Sequence, residues 1–215
     1  SGILSSRKLI KNVECGSAGS DPDVSLDKSG GKLVLPNNGF VSATVSKGSA
    51  GLGISYVEFW LHGMSWSKDN WVYLGKDTNG SNGWQAPVVT TNLSEGSTYT
   101  LVAVATDTGG NQGADANFNG VVDKTAPVVT IDPVGSPFMG NTITFTWTNS
   151  DNNTGVAYQE IGVHLNSGAY QLLEANVSPF TSTYQYSLSP GQIMIFDVRA
   201  YDHAGNMGKS LVSVY

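Results

Sequence analysis

From Tyr99 to Thr106 the side chains alternate. Tyr99, Leu101, Ala103 and Ala105 fall on one side, and Thr100, Val102, Val104 and Thr106 on the other. Further along, Met194, Phe196, Val198 and Ala200 alternate with Asp197, Arg199 and Tyr201. A period of two is that of a half-buried antiparallel strand. Similar runs occupy 32–35, 40–45, 55–61, 71–75, 87–91, 128–131, 142–148, 158–165, 169–173, 183–187 and 210–215, with Gly, Asn, Asp, Ser or Pro between them. No long stretch carries the 3.6-residue period of an amphipathic helix. The pattern predicts an all-β chain, with about seven short strands per ~100 residues, the density of a two-sheet sandwich.

The pattern also repeats. "ISYVEFWLH" (54–62) lies over "VAYQEIGVH" (156–164) at an offset of 102, pairing Tyr56 with Tyr158, Glu58 with Glu160 and His62 with His164. "NLSEGSTYTLVAVATDTGGN" (92–111) lies over "SLSPGQIMIFDVRAYDHAGN" (187–206) at an offset of 95. One seven-residue length difference between the two blocks accounts for the change of offset. The reading is a duplicated domain: an N-terminal extension at 1–19, a first sandwich at 20–123 and a second at 124–215. The few residues around "VVDKTAPVV" (121–129) leave a short linker, and Pro127 suits the start of an edge strand because it lacks a ladder donor. A linker this short favours a stiff end-to-end rod.

Each repeat ends a long strand with the same five-residue phrase, "DTGGN" (107–111) and "DHAGN" (202–206). Asp caps backbone N–H groups, Gly supplies positive φ, and Asn tolerates the left-handed region, so the phrase predicts a tight hairpin turn.

Composition narrows the functional classes. Apolar residues make up 40% of the 215, enough for packed cores, while charged residues are only 13%. The net charge of −6 argues against a nucleic-acid partner, which needs clustered Lys and Arg. No apolar run approaches a membrane span. The single cysteine, Cys15, excludes an intrachain disulfide.

The "DKTAPVV" segment (123–129), the "LSPG" corner (188–191), the "AYDHAGN" strand end (200–206) and the aromatic stretch 57–84 resemble bacterial Ig-like and fibronectin type III-like modules. The resemblance covers about 20–215. It implies two tandem Ig-like (fibronectin III-like) β-sandwiches in a secreted or cell-surface protein. It does not name a function, since such modules serve as spacers, adhesins, enzyme appendages and filament subunits. Met194 stands in the second copy where the first has the corner tyrosine, Tyr99.

Candidate chemistry is sparse. No G-x-S-x-G elbow, H-E-x-x-H, cysteine pair or phosphate loop occurs, so no enzyme is expected. The alternation puts Tyr56, Glu58, Trp60 and His62 on the outward face of their strand. Trp60 with Tyr56, Trp66, Trp71 and Trp84 is therefore the candidate ligand or partner site, of a kind that stacks on sugars. The long 63–92 segment is the element that would instead fold over that face. "DANFNGVVD" (115–123) offers Asp115, Asn117, Asn119 and Asp123 as oxygen ligands, making calcium the one candidate cofactor, though with few carboxylates for such a loop. Ile3, Leu4, Leu9, Ile10 and Val13 make the extension a candidate assembly arm that adds a strand to a neighbour. The expected function is a non-catalytic structural protein of the cell exterior: a stalk, an adhesin, or a filament or surface-layer building block. Its partners would be like subunits or other surface proteins. The alternative is a carbohydrate- or protein-binding accessory module of a secreted enzyme, holding a polysaccharide on the aromatics of the first domain.

Overall fold

The computed structural model describes residues 21–29, 31–36, 39–63, 70–135, 141–189 and 191–215. Among the described residues it is built of strands, with one short 3₁₀ turn at Gly80–Asn82, and the chain divides into two compact units, Ser1–Asp123 and Lys124–Tyr215. Among the described residues no helix is long and apolar enough to cross a membrane.

The first unit contains β1 (Asp23–Leu26), β2 (Val34–Leu35), β3 (Phe40–Ser46), β4 (Ile54–Gly63), β5 (Val72–Asp77), β6 (Trp84–Pro87), β7 (Thr98–Asp107) and β8 (Gln112–Val122). They form a three-stranded sheet, β1-β3-β6, and a five-stranded sheet, β2-β8-β7-β4-β5. All pairings are antiparallel except that of β2 with β8, which is parallel. The alternation of β4 and β7 explains the core. Val57, Phe59, Leu61, Leu101, Ala103 and Ala105 all point between the sheets and are at most 2% exposed. Tyr99 makes the corner expected of it: the Ser94 N–H donates to its phenol oxygen at 2.7 Å, and its O–H donates back to the Ser94 carbonyl at 3.4 Å.

The second unit contains β9 (Val128–Ile131), β10 (Thr142–Ser150), β11 (Val156–Leu165), β12 (Gln171–Val177), β13 (Thr183–Ser187), β14 (Met194–Asp202) and β15 (Met207–Val214). Its sheets are β13-β10-β9 and β12-β11-β14-β15. Between them lies a separate core that includes Phe145, Trp147, Ile161, Met194, Phe196 and Val198. Phe145 and Phe196 stack with ring centres 3.9 Å apart. Gln159 is buried in this core with every polar atom used. Trp147 Nε1 donates to its Oε1 at 2.7 Å, and its Nε2 donates to the carbonyls of Ser178 and Thr181.

The repeat holds down to individual hydrogen bonds. In the first turn Asp107 Oδ1 accepts from the N–H groups of Gly109 and Asn111, and Oδ2 from Asn111 Nδ2. In the second, Asp202 Oδ1 accepts from Ala204 and Asn206, and Oδ2 from Asn206 Nδ2. Gly110 and Gly205 both sit at φ +86°, where a side chain would be strained. Each turn is stapled to a neighbouring loop by an equivalent bond, Thr108 N–H to the Gly53 carbonyl and His203 N–H to the Gly155 carbonyl.

Several expected boundaries move. The run expected at 87–91 is a strand at Trp84–Pro87, and the one at 169–173 is a strand at Gln171–Val177. The stretch read in sequence as an oxygen-ligand loop, from Asp115, lies in a strand that runs from Gln112 to Val122, with a register shift against β7 between Asn117 and Gly120.

Candidate functional site

Strand β4 presents Tyr56, Glu58, Trp60 and His62 on the face turned away from the sandwich core. Trp60 is nonetheless only 7% exposed. It forms a second, outer apolar cluster with Val102 and Val104, covered by Trp71 and Ala114. Tyr73 leans on the Trp60 ring at a centroid distance of 4.6 Å, and Trp71 on His62 at 5.0 Å. The indole that was expected to offer a stacking platform is therefore sealed by residues that follow it in the chain. The physical reason is area: a large exposed indole beside two valines is more stable covered.

What this face leaves accessible is smaller. Tyr73 is 42% exposed. Its O–H donates to Glu58 Oε1 at 3.4 Å, and partial burial together with the Glu58 charge raises its pKa. Lys76 Nζ stands 3.4 Å above the Tyr56 ring, a cation–π contact at the rim. Trp84 is half-buried against the sandwich core, with Gly80 so close that a Cβ there would meet its ring at 2.5 Å. Trp66 lies outside the described residues, as do Ile3, Leu4, Leu9, Ile10 and Val13 of the extension.

The same face of the second unit is built differently. Gly162 occupies the repeat position of Trp60, and the Tyr170 ring fills the space it leaves: a Cβ on Gly162 would stand 2.2 Å from that ring. Arg199 caps Tyr170 at 3.6 Å from the ring centre and pairs with Asp197 at 3.0 Å. Asp197 is 1% exposed, and His164 Nε2 is 3.6 Å from it. Burial works against the Arg199 charge, but the hydrogen bonds and charge of Asp197 outweigh it and raise its pKa. Beside this group Tyr158 and Tyr201 stack at 4.7 Å, and the Tyr201 O–H donates to Glu160 at 3.1 Å. Sequence periodicity places Asp197 and Arg199 outward, but nothing in it announces that Tyr170 arrives from a loop to cover them.

Of the expected calcium ligands, Asp115, Asn117 and Asn119 fall along β8 and Asp123 just past its end. At about 3.3 Å per residue an extended strand separates Asp115 from Asp123 by roughly 25 Å, so the two cannot share an ion. The Asp115 carboxylate instead accepts the Leu26 N–H at 2.9 Å, and Asn117 Oδ1 accepts the Asn119 N–H at 3.0 Å. Sequence reasoning missed a different acidic pair. Asp151 and Asp202, on adjoining turns of the second unit, bring carboxylate oxygens within 4.8 Å of one another. Asp151 Oδ1 is engaged by the N–H groups of Asn153, Thr154 and Gly155. The available signal was that the first copy has Ser49 at the position of Asp151.

No family model matches the sequence, and no curated protein does. Among solved structures the chain is similar to the fibronectin(III)-like modules of Clostridium thermocellum CbhA, at 19% identity and a TM-score of 0.51, over 90% of this chain and 93% of that one. It is also similar to the chicken CNTN1 FN1–FN3 domains, at 16% identity and a TM-score of 0.48, over 90% and 69% of the two chains. A 1.5-MDa bacterial ice-binding adhesin matches at 18% identity and a TM-score of 0.38, over 92% and 64%. The first of these likenesses carries the fold. The chain folds as tandem fibronectin(III)-like β-sandwiches.

Proposed function

We propose that this chain is a non-catalytic structural module of the cell exterior, a building block of a stalk, adhesin or filament whose partners are like subunits or other surface proteins. One observation carries the reading: both units cover the outer face of their larger sheet with their own aromatics, Trp71 over Trp60 in the first and Tyr170 over Gly162 in the second. The indole of Trp60, which would otherwise offer the broadest stacking platform, is committed to self-packing. The low proportion of charged residues suits close packing with sister chains. In this reading residues 1–19, with Ile3, Leu4, Leu9, Ile10 and Val13, form the arm that joins one copy to the next by strand addition. Light scattering on the full chain and on a chain lacking residues 1–19 tests it. Mass that rises with concentration only in the full chain is expected. Two monomers would overturn self-assembly through the arm.

Tyr73 supports a second reading, a polysaccharide-binding accessory module, because it is an aromatic of the first unit's outer face that stays 42% exposed, as Phe118 on the same sheet does at 64%. Retention on an insoluble polysaccharide, lost in Tyr73→Ala, would favour that reading.

A further inference from the structure

The smaller sheet of the second unit leaves an edge open. β13 pairs with β10 alone. The register fixes which of its backbone groups are used. The Trp147 N–H donates to the Ser182 carbonyl, and the Leu188 N–H to the Asn141 carbonyl. The backbone groups of Tyr184 and Tyr186 therefore point to β10, and those of Thr183, Gln185 and Ser187 point away. Among the described residues these three outward N–H groups find no acceptor. No proline, lysine or bulge interrupts the run, and those are the devices that keep such an edge from pairing.

The equivalent edge of the first unit, β6, is closed. By the same register its outward positions are Gln85 and Pro87. The Gln85 N–H donates to Asp77 Oδ2 at 3.0 Å, and Pro87 has no N–H. β5 lies against β6, close enough that a Cβ on Gly75 would stand 3.6 Å from the Ala86 Cβ. In the second unit β12 makes no comparable approach to β13. β12 is itself a poor template, with two register shifts against β11 and Asn176 at φ +53°. Between β12 and β13 the margin of the core stays partly open. Leu173, Tyr184 and Tyr186 are half-buried there, and Phe180, on the connection between the two strands, is 92% exposed. Glu174 pairs with Ile161, a core residue, so it lies on the core side of β12. Burial, and after it the Glu174 charge, raises the pKa of Tyr184, which puts that charge at the same margin.

We infer that the β13 edge of the second unit is the acceptor for residues 1–19 of another copy, which add to it as a strand. The inference rests on the reading of the chain as a self-assembling module and names the surface that the arm takes. Charge selects the occupant. The arm carries Arg7, Lys8 and Lys11 against Glu14 alone, in a chain of net charge −6, and the margin presents Glu174. A period of two puts Leu9, Lys11 and Val13 on one side of an added strand. Turned to the margin, Leu9 and Val13 cover the half-buried tyrosines, and Lys11 meets Glu174.

Amide hydrogen exchange on the full chain, across a concentration series, tests the acceptor without requiring any variant to fold. The N–H groups of Thr183, Gln185 and Ser187 should gain protection as light scattering shows the mass rising. Gln185→Pro removes an outward donor and no bond to β10, and should raise the concentration of half-assembly at least about fivefold. Glu174→Lys should raise it by up to about fivefold, the effect of an exposed ion pair, and Lys11→Glu added to it should restore the wild-type value. A chain that assembles while the three amides stay unprotected would overturn the acceptor and leave the assembly reading standing, as would full assembly by folded Gln185→Pro. A chain that stays monomeric with the amides unprotected would overturn both. Protection at every concentration in a monomer would place a segment of the same chain on the edge and overturn the inference of a second copy.

Discussion

Gln159 stands where the first copy has Val57, and it brings a full set of hydrogen-bonding groups into the second core. Gln159→Leu would leave the Trp147 indole N–H and two backbone carbonyls without a partner, and each such group costs about 1–3 kcal/mol. A lowered denaturation midpoint with an unchanged m-value is the expected result in urea. Asp107 makes a pH-dependent contribution of known sign. The Asn111 side chain is the main cause that lowers its pKa; burial opposes it, and the N–H groups of Asn111, Gly109 and Gly110 reinforce it. A depressed folded value means that the contribution is present above the unfolded carboxylate value, ~3.9, and is lost as pH falls through the folded value. Thermal melts across acid pH should therefore show a shallower decline for Asp107→Asn than for wild type. The Asp-x-x-Gly-Asn turn was legible because its residue types and its geometry are local. The fate of Trp60 was not. Periodicity gives the side of a strand, whereas cover depends on what another segment brings over it.

At the scale of elements, the alternating strands were legible, and β4, β7, β11 and β14 stand where their apolar period places them. Pairing across the chain was less so. β2 is only two residues long and pairs in parallel with a strand 87 positions away, and no local pattern encodes such a partner. The acidic 115–123 stretch illustrates the same limit: its residues read as ligands in sequence, but their extended backbone spreads them along a strand. Close approach of the first and last strands, by contrast, depends on single glycines. Gly208→Ala would drive a Cβ to 1.7 Å from the Pro127 carbonyl oxygen, a backbone atom with little freedom to move. A loss of roughly 1–3 kcal/mol is expected in the second unit, readable as a lower melting temperature.

At the scale of the whole molecule, the duplication and the all-β class were the most legible features, because two long blocks in register carry the same landmarks. Each unit encloses its own core. Phe59→Ala, which removes a fully buried ring from the first core, should cost about 3–5 kcal/mol. It should displace one calorimetric transition and leave the other in place; a single transition that moves as a whole would show that the cores unfold together. The outer face also ties two positions together. An indole on the strand and a phenol ring arriving from the loop claim the same volume, so a chain with tryptophan at position 162 has no room for Tyr170 as it now lies. Positions 162 and 170 therefore answer to substitution as a pair, and a large side chain at 162 is best tolerated where the ring at 170 has been removed.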